Sequence, residues 1–211
     1  PPPPPPPPPP FSSRRRHTRS CLKSRGLGDV YKRQLHDYGY ADTTVARIAK
    51  KAGVSSGIVH HYFDGKDGLL FATMQHMLRD LRAETLKSLK QAKTPRGRLS
   101  AIVAANFAPS QYSPDVMTAW LALYGSARQS SNLTRILRLY DARLKSNLKH
   151  AFNQLTGPAK ATELAIGVSA LIDGVWLRAA LFGDVYNRDT AIHLVESYID
   201  SQLPRVRTPA H

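Results

Sequence analysis

Two short helical patterns separated by a glycine constrain the fold of this chain more than any other feature. The first pattern places three apolar residues at the i, i+3 and i+4 positions of one buried helix face: Val45, Ile48 and Ala49. Thr43 or Thr44 can cap the start of this helix through a side-chain oxygen. Gly53 permits the left-handed backbone that a tight turn needs. The pattern therefore predicts a short helix that ends in a sharp turn.

A second short helix is predicted directly after the turn, with Ser55 as its cap. Three of its residues are placed to pack inward: Val59, Tyr62 and Phe63. Five others are placed to face outward: Ser56, Gly57, Ile58, His60 and His61. Two short helices joined by a glycine turn form a helix-turn-helix, whose second helix can enter the major groove of DNA. For the helix-glycine-helix pattern alone, an ordinary helical hairpin is the alternative.

Residues 43–55, TTVARIAKKAGVS, and residues 60–70, HHYFDGKDGLL, resemble the DNA-binding domain of the TetR family. The capping threonine, the turn glycine, the aromatic pair and the following lysine all fall at the spacings of that family. The resemblance implies DNA binding and a homodimer built from the last two long helices, here about 159–182 and 189–203. It also implies a ligand pocket in the helical bundle. Two-fold symmetry would pair the dimer with a near-palindromic operator.

The residues assigned to DNA binding are Thr44, Ser55, Ser56, Gly57, Ile58, His60, His61, Tyr62 and Lys66. Ser56, Ile58 and His60 can meet base edges or thymine methyl groups. Gly57 lets the backbone approach the DNA closely. Phosphate contacts are expected from Thr44, His61, Tyr62 and Lys66. Adjacent side chains point about 100° apart on a helix, so the tandem histidines are not expected to share a metal ion.

Residues 1–34 have the composition of a basic arm for nucleic acid. They begin with ten prolines and hold eight of the 30 basic residues and one of the 15 acidic residues, which is +7 of the net charge of +15. The prolines can form a polyproline II rod, the arginine run can contact phosphates or act as a localisation patch, and a disordered tail without a role is the plain alternative. However, SRRRHTR, SRGLG and DVYKRQ resemble the translations of three sequencing-adaptor segments, in adaptor order. We interpret residues 1–34 as adaptor contamination and expect them to be disordered.

That interpretation predicts a truncated first helix in the DNA-binding domain. In the TetR family a helix precedes the motif, and here only its end, around residues 35–38, is expected before a turn at Gly39. The inward-facing residues of the motif would then be less covered: Ile48, Val59 and Phe63. Losing an apolar helix face would cost on the order of several kcal/mol, comparable to the whole stability of a small domain.

After Lys66 the chain alternates apolar-patterned helices with helix breakers. Helices are predicted over about 68–92, 99–107, 115–128, 132–155, 159–182 and 189–203, and a break at Pro95 and Gly97 is expected to end the first of them. No segment has the pattern of a strand. The predicted fold is all-α and TetR-like, with a helix-turn-helix head at 35–80, a regulatory and dimerisation bundle at 81–205 and a tail at 206–211.

The bundle carries a possible ligand site. Trp120 and Tyr124 lie four residues apart, and Asp173 and Trp176 lie three apart, so each pair shares a helix face. An acid among aromatic rings suits a quaternary ammonium ion, which has no N–H donor and is held by ring faces and an opposite charge. The alternatives are that the tryptophans are simply core residues and that Asp173 is paired with Arg178. The segments TAWLALY and ALIDGVWLRAALFGD resemble the BetI branch of the TetR family, the choline-responsive repressors of glycine betaine synthesis genes.

Other functional classes lack support in the sequence. Outside residues 1–34 there is no cysteine, no glycine-rich phosphate loop and no HExxH motif, so we expect neither catalysis nor a metal or cofactor. No run of 18 or more apolar residues predicts a membrane span. The single cysteine, Cys21, suits a reducing cytoplasm. The prediction is a cytoplasmic, nucleoid-associated repressor released by choline, and the alternative is a TetR-type regulator that senses another molecule, such as a lipophilic cation of drug efflux.

Overall fold

A computed structural model describes residues 25–204, and this range contains helices and no strand. The helices are α1 (Arg25–Asp42), α2 (Val45–Lys51), α3 (Ser56–Tyr62), α4 (Gly65–Gln91), α5 (Pro95–Asn106), α6 (Pro114–Ala127), α7 (Ser131–Thr156), α8 (Pro158–Phe182) and α9 (Arg188–Gln202), with a 3₁₀ turn at Gly183–Tyr186. The prediction of an all-α fold is confirmed. The proline run, Cys21 and the tail 206–211 lie outside the described residues.

The helix-turn-helix forms as its capping residues predict. Thr44 is the cap of α2, and its hydroxyl accepts a hydrogen bond from the Arg47 amide at 3.2 Å. Thr43 is buried instead, and its hydroxyl donates to the Gly39 carbonyl at 2.6 Å. Gly53 has a φ of 69°, in the left-handed region that favours glycine. The turn between α2 and α3 therefore has the geometry that the sequence predicts.

The first helix is longer than expected. α1 begins at Arg25, and its residues Leu27, Tyr31 and Leu35 are buried against the rest of the fold. These residues lie four apart, so they form one apolar stripe, which packs against α4 and α6. The prediction of disorder is therefore wrong for residues 25–34, which are helical; that residues 1–34 are adaptor sequence in place of a native first helix stays a prediction.

The motif is consequently better covered than the truncation predicts. Ile48 and Val59 are fully buried, and Phe63 is half-buried and packs against the same core. α1 supplies the apolar surface that the truncated helix was expected to lack. From Arg25 to Tyr62 the head thus has three helices, with a kink in α1 at Gly39, where φ is 71°.

The breakers predict most helix boundaries in the body to within a few residues. α4 ends at Gln91, as the break predicts, but Pro95 belongs to the first turn of α5 and not to the break itself. Proline is favoured there because its missing N–H has no partner in a first turn. Thr94 caps α5 by accepting a hydrogen bond from the Gly97 amide at 3.0 Å. α5 therefore starts four residues before the predicted position, Leu99.

α4 connects the head with the body. It runs without a break from Gly65 to Gln91, through the boundary expected near residue 80. Its apolar residues are buried first against the head and then against α5 and α7. In the body, α7 packs along α8, and Arg96 of α5 forms salt bridges with Glu196 and Asp200 of α9. Displacements in the body can therefore reach the head through one continuous helix.

Candidate DNA-binding surface and effector cavity

The second helix of the motif, α3, exposes most of the residues assigned to DNA binding. Ser55 caps it by accepting a hydrogen bond from the Ile58 amide at 3.3 Å. Val59 points into the core, whereas Ile58 is half-buried. The cap residue Ser55 is exposed, and so are Ser56, Gly57, His60 and His61 of the helix. α3 therefore presents a polar face with one aliphatic side chain, which suits contact with a major groove.

Tyr62 differs from the expectation that it packs inward. Its side chain is 49% exposed, and its ring lies edge-on to that of His61 with the centroids 5.1 Å apart. The reason is that α3 ends at Tyr62 and the backbone of Phe63 is extended, so Phe63 alone turns toward the core. The inward placement is wrong for Tyr62, and its hydroxyl remains accessible to a phosphate.

Lys66 is held inside the head. Its Nζ donates to the Tyr40 carbonyl at 2.6 Å, lies 3.4 Å from the Ala41 carbonyl and is 4.0 Å from the centroid of the Tyr40 ring. An ammonium has three N–H donors, so one is left for a phosphate. The lysine thus joins the end of α1 to the start of α4 in addition to any contact with DNA.

Tyr40 strengthens the same junction. Its hydroxyl donates to Asp67 Oδ1 on α4. Burial, together with the hydrogen bond to Asp67, raises the pKa of Tyr40 to about 12. The phenol therefore keeps its proton at physiological pH, and the hydrogen bond between α1 and α4 persists.

The four residues predicted to bind the effector line one cavity in the body: Trp120, Tyr124, Asp173 and Trp176. α6 supplies the first pair and α8 the second. The Trp120 and Trp176 ring centroids lie 6.2 Å apart with their planes at 67°, and the Trp120 and Tyr124 centroids lie 6.0 Å apart. Both tryptophans are buried, so they are core residues that also form a cavity wall.

Asp173 faces this cavity without a cationic partner. It forms no salt bridge within residues 25–204, and Arg178 is exposed. The alternative of an Asp173–Arg178 pair is therefore wrong. Burial raises the pKa of Asp173 to about 6, while a hydrogen bond donated by Tyr140 opposes the rise and the charge of Asp141 adds to it. At neutral pH the carboxyl is ionised and desolvated, a state that a bound cation would stabilise.

Tyr140 of α7 is the principal residue that sequence reasoning missed. Its hydroxyl donates to Asp173 Oδ1 at 3.0 Å, and its ring centroid lies 4.9 Å from that of Trp120. The available signal was a tyrosine on the buried face of α7, four residues after Ile136 and four before Leu144. Further lining residues are Leu81, Asn106, Gln111 and Ile172. Gln111 lies in a loop, where no periodicity could have indicated it.

A stripe of exposed small and apolar residues runs along α8: Ile166, Ala170, Gly174, Leu177 and Leu181. Ile166 is 55% exposed and Leu181 57%, and α9 adds Leu194 and Tyr198 beside them. Of the helices in the described range, α8 alone is long and apolar enough to cross a membrane. However, 44% of its most apolar 18-residue stretch is buried inside the fold. α8 therefore has one face in the core and a second apolar face that residues 25–204 leave uncovered.

Comparison with known families gives two matches in separate parts of the chain. Residues 29–73 match the model of bacterial regulatory proteins of the TetR family, and residues 95–204 match the C-terminal part of BetI-type transcriptional repressors. A curated relative, the HTH-type transcriptional regulator BetI of Brucella suis, is 47% identical over 182 residues, which cover 86% of this chain and 92% of the relative.

Solved structures give the same fold. A putative transcriptional regulator from Pseudomonas aeruginosa superposes with a TM-score of 0.73 at 26% identity, covering 83% of this chain and 87% of its own. A regulator from Saccharomonospora viridis in complex with choline superposes with a TM-score of 0.72 at 17% identity, covering 91% and 98%. These similarities, with the exposed recognition helix, establish that the chain belongs to the TetR family of transcriptional regulators and to its BetI type.

Proposed function

We propose that this repressor is a homodimer that binds a near-palindromic operator of choline-to-glycine betaine synthesis genes and is released by choline. The observation that carries the effector assignment is the meeting of Trp120, Tyr124, Trp176 and Asp173 around one cavity. The BetI name of the relatives and the choline bound by the Saccharomonospora viridis regulator support the same ligand. The protein would act in the cytoplasm, at the nucleoid.

The cavity suits a small quaternary ammonium ion. Aromatic ring faces attract a cation that cannot donate hydrogen bonds, and the ionised Asp173 supplies the opposite charge. The volume of the cavity is only about 20 Å³, enough for about one water molecule. A trimethylammonium group would therefore bind a state in which the lining side chains have moved apart. Choline requires a smaller displacement of the lining side chains than a bulky lipophilic cation, the alternative effector.

The wall of the cavity connects the effector to the head. Leu81 belongs to α4, which continues into the head, and Trp120 belongs to α6, which packs against α1. Expansion of the cavity would displace Leu81 and Trp120, and with them α4 and α6. Because these helices adjoin the head, the orientation of α3 would change. Choline would then shift the population toward a conformer with wrongly placed heads, because it binds that conformer better.

Dimerisation through α8 and α9 would place the two recognition helices on one side of the DNA. The exposed stripe on α8 is made of apolar and small residues, so it can pack against the same stripe of a second copy, as a two-fold interface requires. Successive major grooves on one side of B-DNA lie roughly 34–36 Å apart, so each half-site would occupy one groove.

The test is operator binding by the full chain, measured with and without choline. We expect choline to weaken operator affinity and Trp176→Ala to blunt that response. Ethanolamine is the matched control ligand, because it keeps the alcohol but carries N–H donors in place of methyl groups. If choline neither binds nor changes operator affinity, the effector assignment fails; if tetraphenylphosphonium acts instead, the lipophilic cation is the effector.

A further inference from the structure

A second binding surface lies between α4 and α7, on the other side of Tyr140 from the aromatic cavity. It consists of two adjoining cavities of about 300 and 310 Å³ that share Leu78 and Arg143 as walls. We call it the α4–α7 groove. Its position differs from that of the proposed choline site, although Leu81, Asn106 and Tyr140 form a common wall.

The floor of the α4–α7 groove is apolar. Leu78, Leu81, Ile102 and Leu144 are buried at its base. The hydroxyl of Thr85 is also there, but it donates to the Leu81 carbonyl at 2.8 Å and has no hydrogen left for a ligand. Phe71 and Leu139 extend the apolar lining toward the head. From Phe71 to Thr85 the groove follows about 21 Å of α4, since a helix rises 1.5 Å per residue. The floor therefore suits an extended hydrocarbon chain.

The rim of the groove is positively charged. Four arginines line it: Arg79, Arg82, Arg135 and Arg143. None of them forms a salt bridge in the described part of the chain, and no lining residue is acidic. Of the acids on the same helices, Asp80 lies 3.7 Å from His76 Nε2 and Asp141 pairs with Lys145, whereas Glu84 of α4 lines neither cavity. The arginine forks are thus available to an anion.

We propose that the α4–α7 groove binds an amphipathic carboxylate, with its unbranched acyl chain on the floor and its carboxylate between Arg82 and Arg143. A guanidinium matches the geometry of a carboxylate through two parallel hydrogen bonds. The same charges repel choline, so the groove is a second ligand site with the opposite charge preference. Its occupant contacts α4, the helix that leads to the head.

The experiment compares dodecanoate with dodecanol, which has the same chain and no charge, by calorimetric titration of the full chain, and dodecanol is expected to bind more weakly. We expect dodecanoate to bind, and the double variant Arg82→Gln/Arg143→Gln to weaken its binding by about tenfold or more. Lys149→Gln, a neutralised cation on the exposed side of α7 outside the groove, is the matched control and leaves the affinity unchanged. Acetate, which lacks the chain, does not bind measurably.

The fluorescence of Trp120 provides a second readout, because its ring centroid lies 4.9 Å from that of Tyr140 in the groove wall. Dodecanoate changes this fluorescence in the wild type and less in the double variant at equal concentration. Absence of dodecanoate binding, or equal affinity in the wild type and the double variant, overturns the proposal. The choline response is expected to survive in the double variant, so a failed choline assignment and a failed groove assignment give different results.

Discussion

The hydroxyl of Tyr140 donates a hydrogen bond to Asp173 Oδ1 at 3.0 Å, and so couples α7 to a carboxyl that faces the aromatic cavity. The hydrogen bond favours the ionised form of Asp173 and partly offsets the burial that raises its pKa to about 6. Tyr140 is itself buried, and burial raises the pKa of its hydroxyl well above the ordinary value. The tyrosine therefore remains a donor throughout the physiological pH range.

Removing this donor should move the pH dependence of choline binding to higher pH. In Tyr140→Phe the pKa of Asp173 rises further, so a larger fraction of the carboxyl is protonated near neutrality. We expect choline affinity at pH 7 to fall by about three- to tenfold and the midpoint of its pH dependence to move upward. Titration calorimetry between about pH 5 and 8.5 measures both. Tyr112→Phe, which removes a hydroxyl bonded to the Tyr186 carbonyl instead, should leave the midpoint unchanged.

Asp173 should reduce the stability of the unliganded fold at neutral pH. Its pKa is raised from 3.8 to about 6, so the folded state holds a proton that the unfolded state has already released between these values. The free energy of unfolding therefore falls as pH rises from about 4 to 6 and is level above that range. Asp173→Asn removes this fall, and should be more stable than the wild type by about 2–3 kcal/mol at pH 7 and nearly equal near pH 4.

Urea unfolding at several pH values tests this expectation. The same variant should lose most of its choline affinity, because the amide carries no charge. Equal stability of the variant and the wild type at pH 7 would show that Asp173 is solvated or paired in solution.

Lys66→Ala should weaken binding to all DNA sequences. Loss of one phosphate contact should reduce the dependence of log affinity on log salt by about one unit of slope. The variant should also loosen the junction of α1 and α4, since Nζ bonds the Tyr40 carbonyl. Fluorescence anisotropy over a range of salt concentrations separates the two roles: an unchanged slope assigns Lys66 to the junction alone. His60→Ala is the contrasting variant and should reduce affinity for the operator more than for unrelated DNA.

The helices of this fold could largely be predicted because capping and breaking residues act locally. Thr44, Ser55 and Pro114 mark helix starts through contacts within one turn. The two halves of the effector cavity could also be found, since i, i+3 and i+4 spacing fixes which residues share a face. The contributions of Tyr140 and Gln111 could not, because they depend on how separate helices and a loop pack together.

The extent of α1 was missed for a different reason. The composition of residues 1–34 and their resemblance to adaptor sequence outweighed the four-residue spacing of Leu27, Tyr31 and Leu35, which by itself predicts an amphipathic helix. The buried part of this helix is imperfectly matched to its surroundings. The Tyr31 hydroxyl and Gln34 Oε1 are buried without a hydrogen-bond partner within the described residues.

Tyr31→Phe should therefore stabilise the head. It removes a buried polar atom that lacks a partner among residues 25–204, and it keeps the ring through which α1 packs against the core. The expected gain is about 1 kcal/mol in the free energy of unfolding. Tyr112→Phe removes a bonded hydroxyl and should lower stability by about 0.5–1.5 kcal/mol. Chemical denaturation measures the change in the free energy of unfolding for each variant. The two changes have opposite signs if burial without a partner is the cause, and the same sign if the hydroxyls are equivalent.

The exposed apolar face of α8 predicts that charged substitutions there prevent dimerisation. Ile166→Glu and Leu181→Glu place carboxylates on the stripe, where a two-fold interface would bring each stripe against its copy. We expect both variants to be monomeric by light scattering and to lose most operator affinity, because a single head makes half the DNA contacts. Leu139→Glu, at a site 43% exposed on α7 and away from the stripe, should remain dimeric. A dimer that persists in both α8 variants would place the interface on another surface and remove the reason for the apolar stripe.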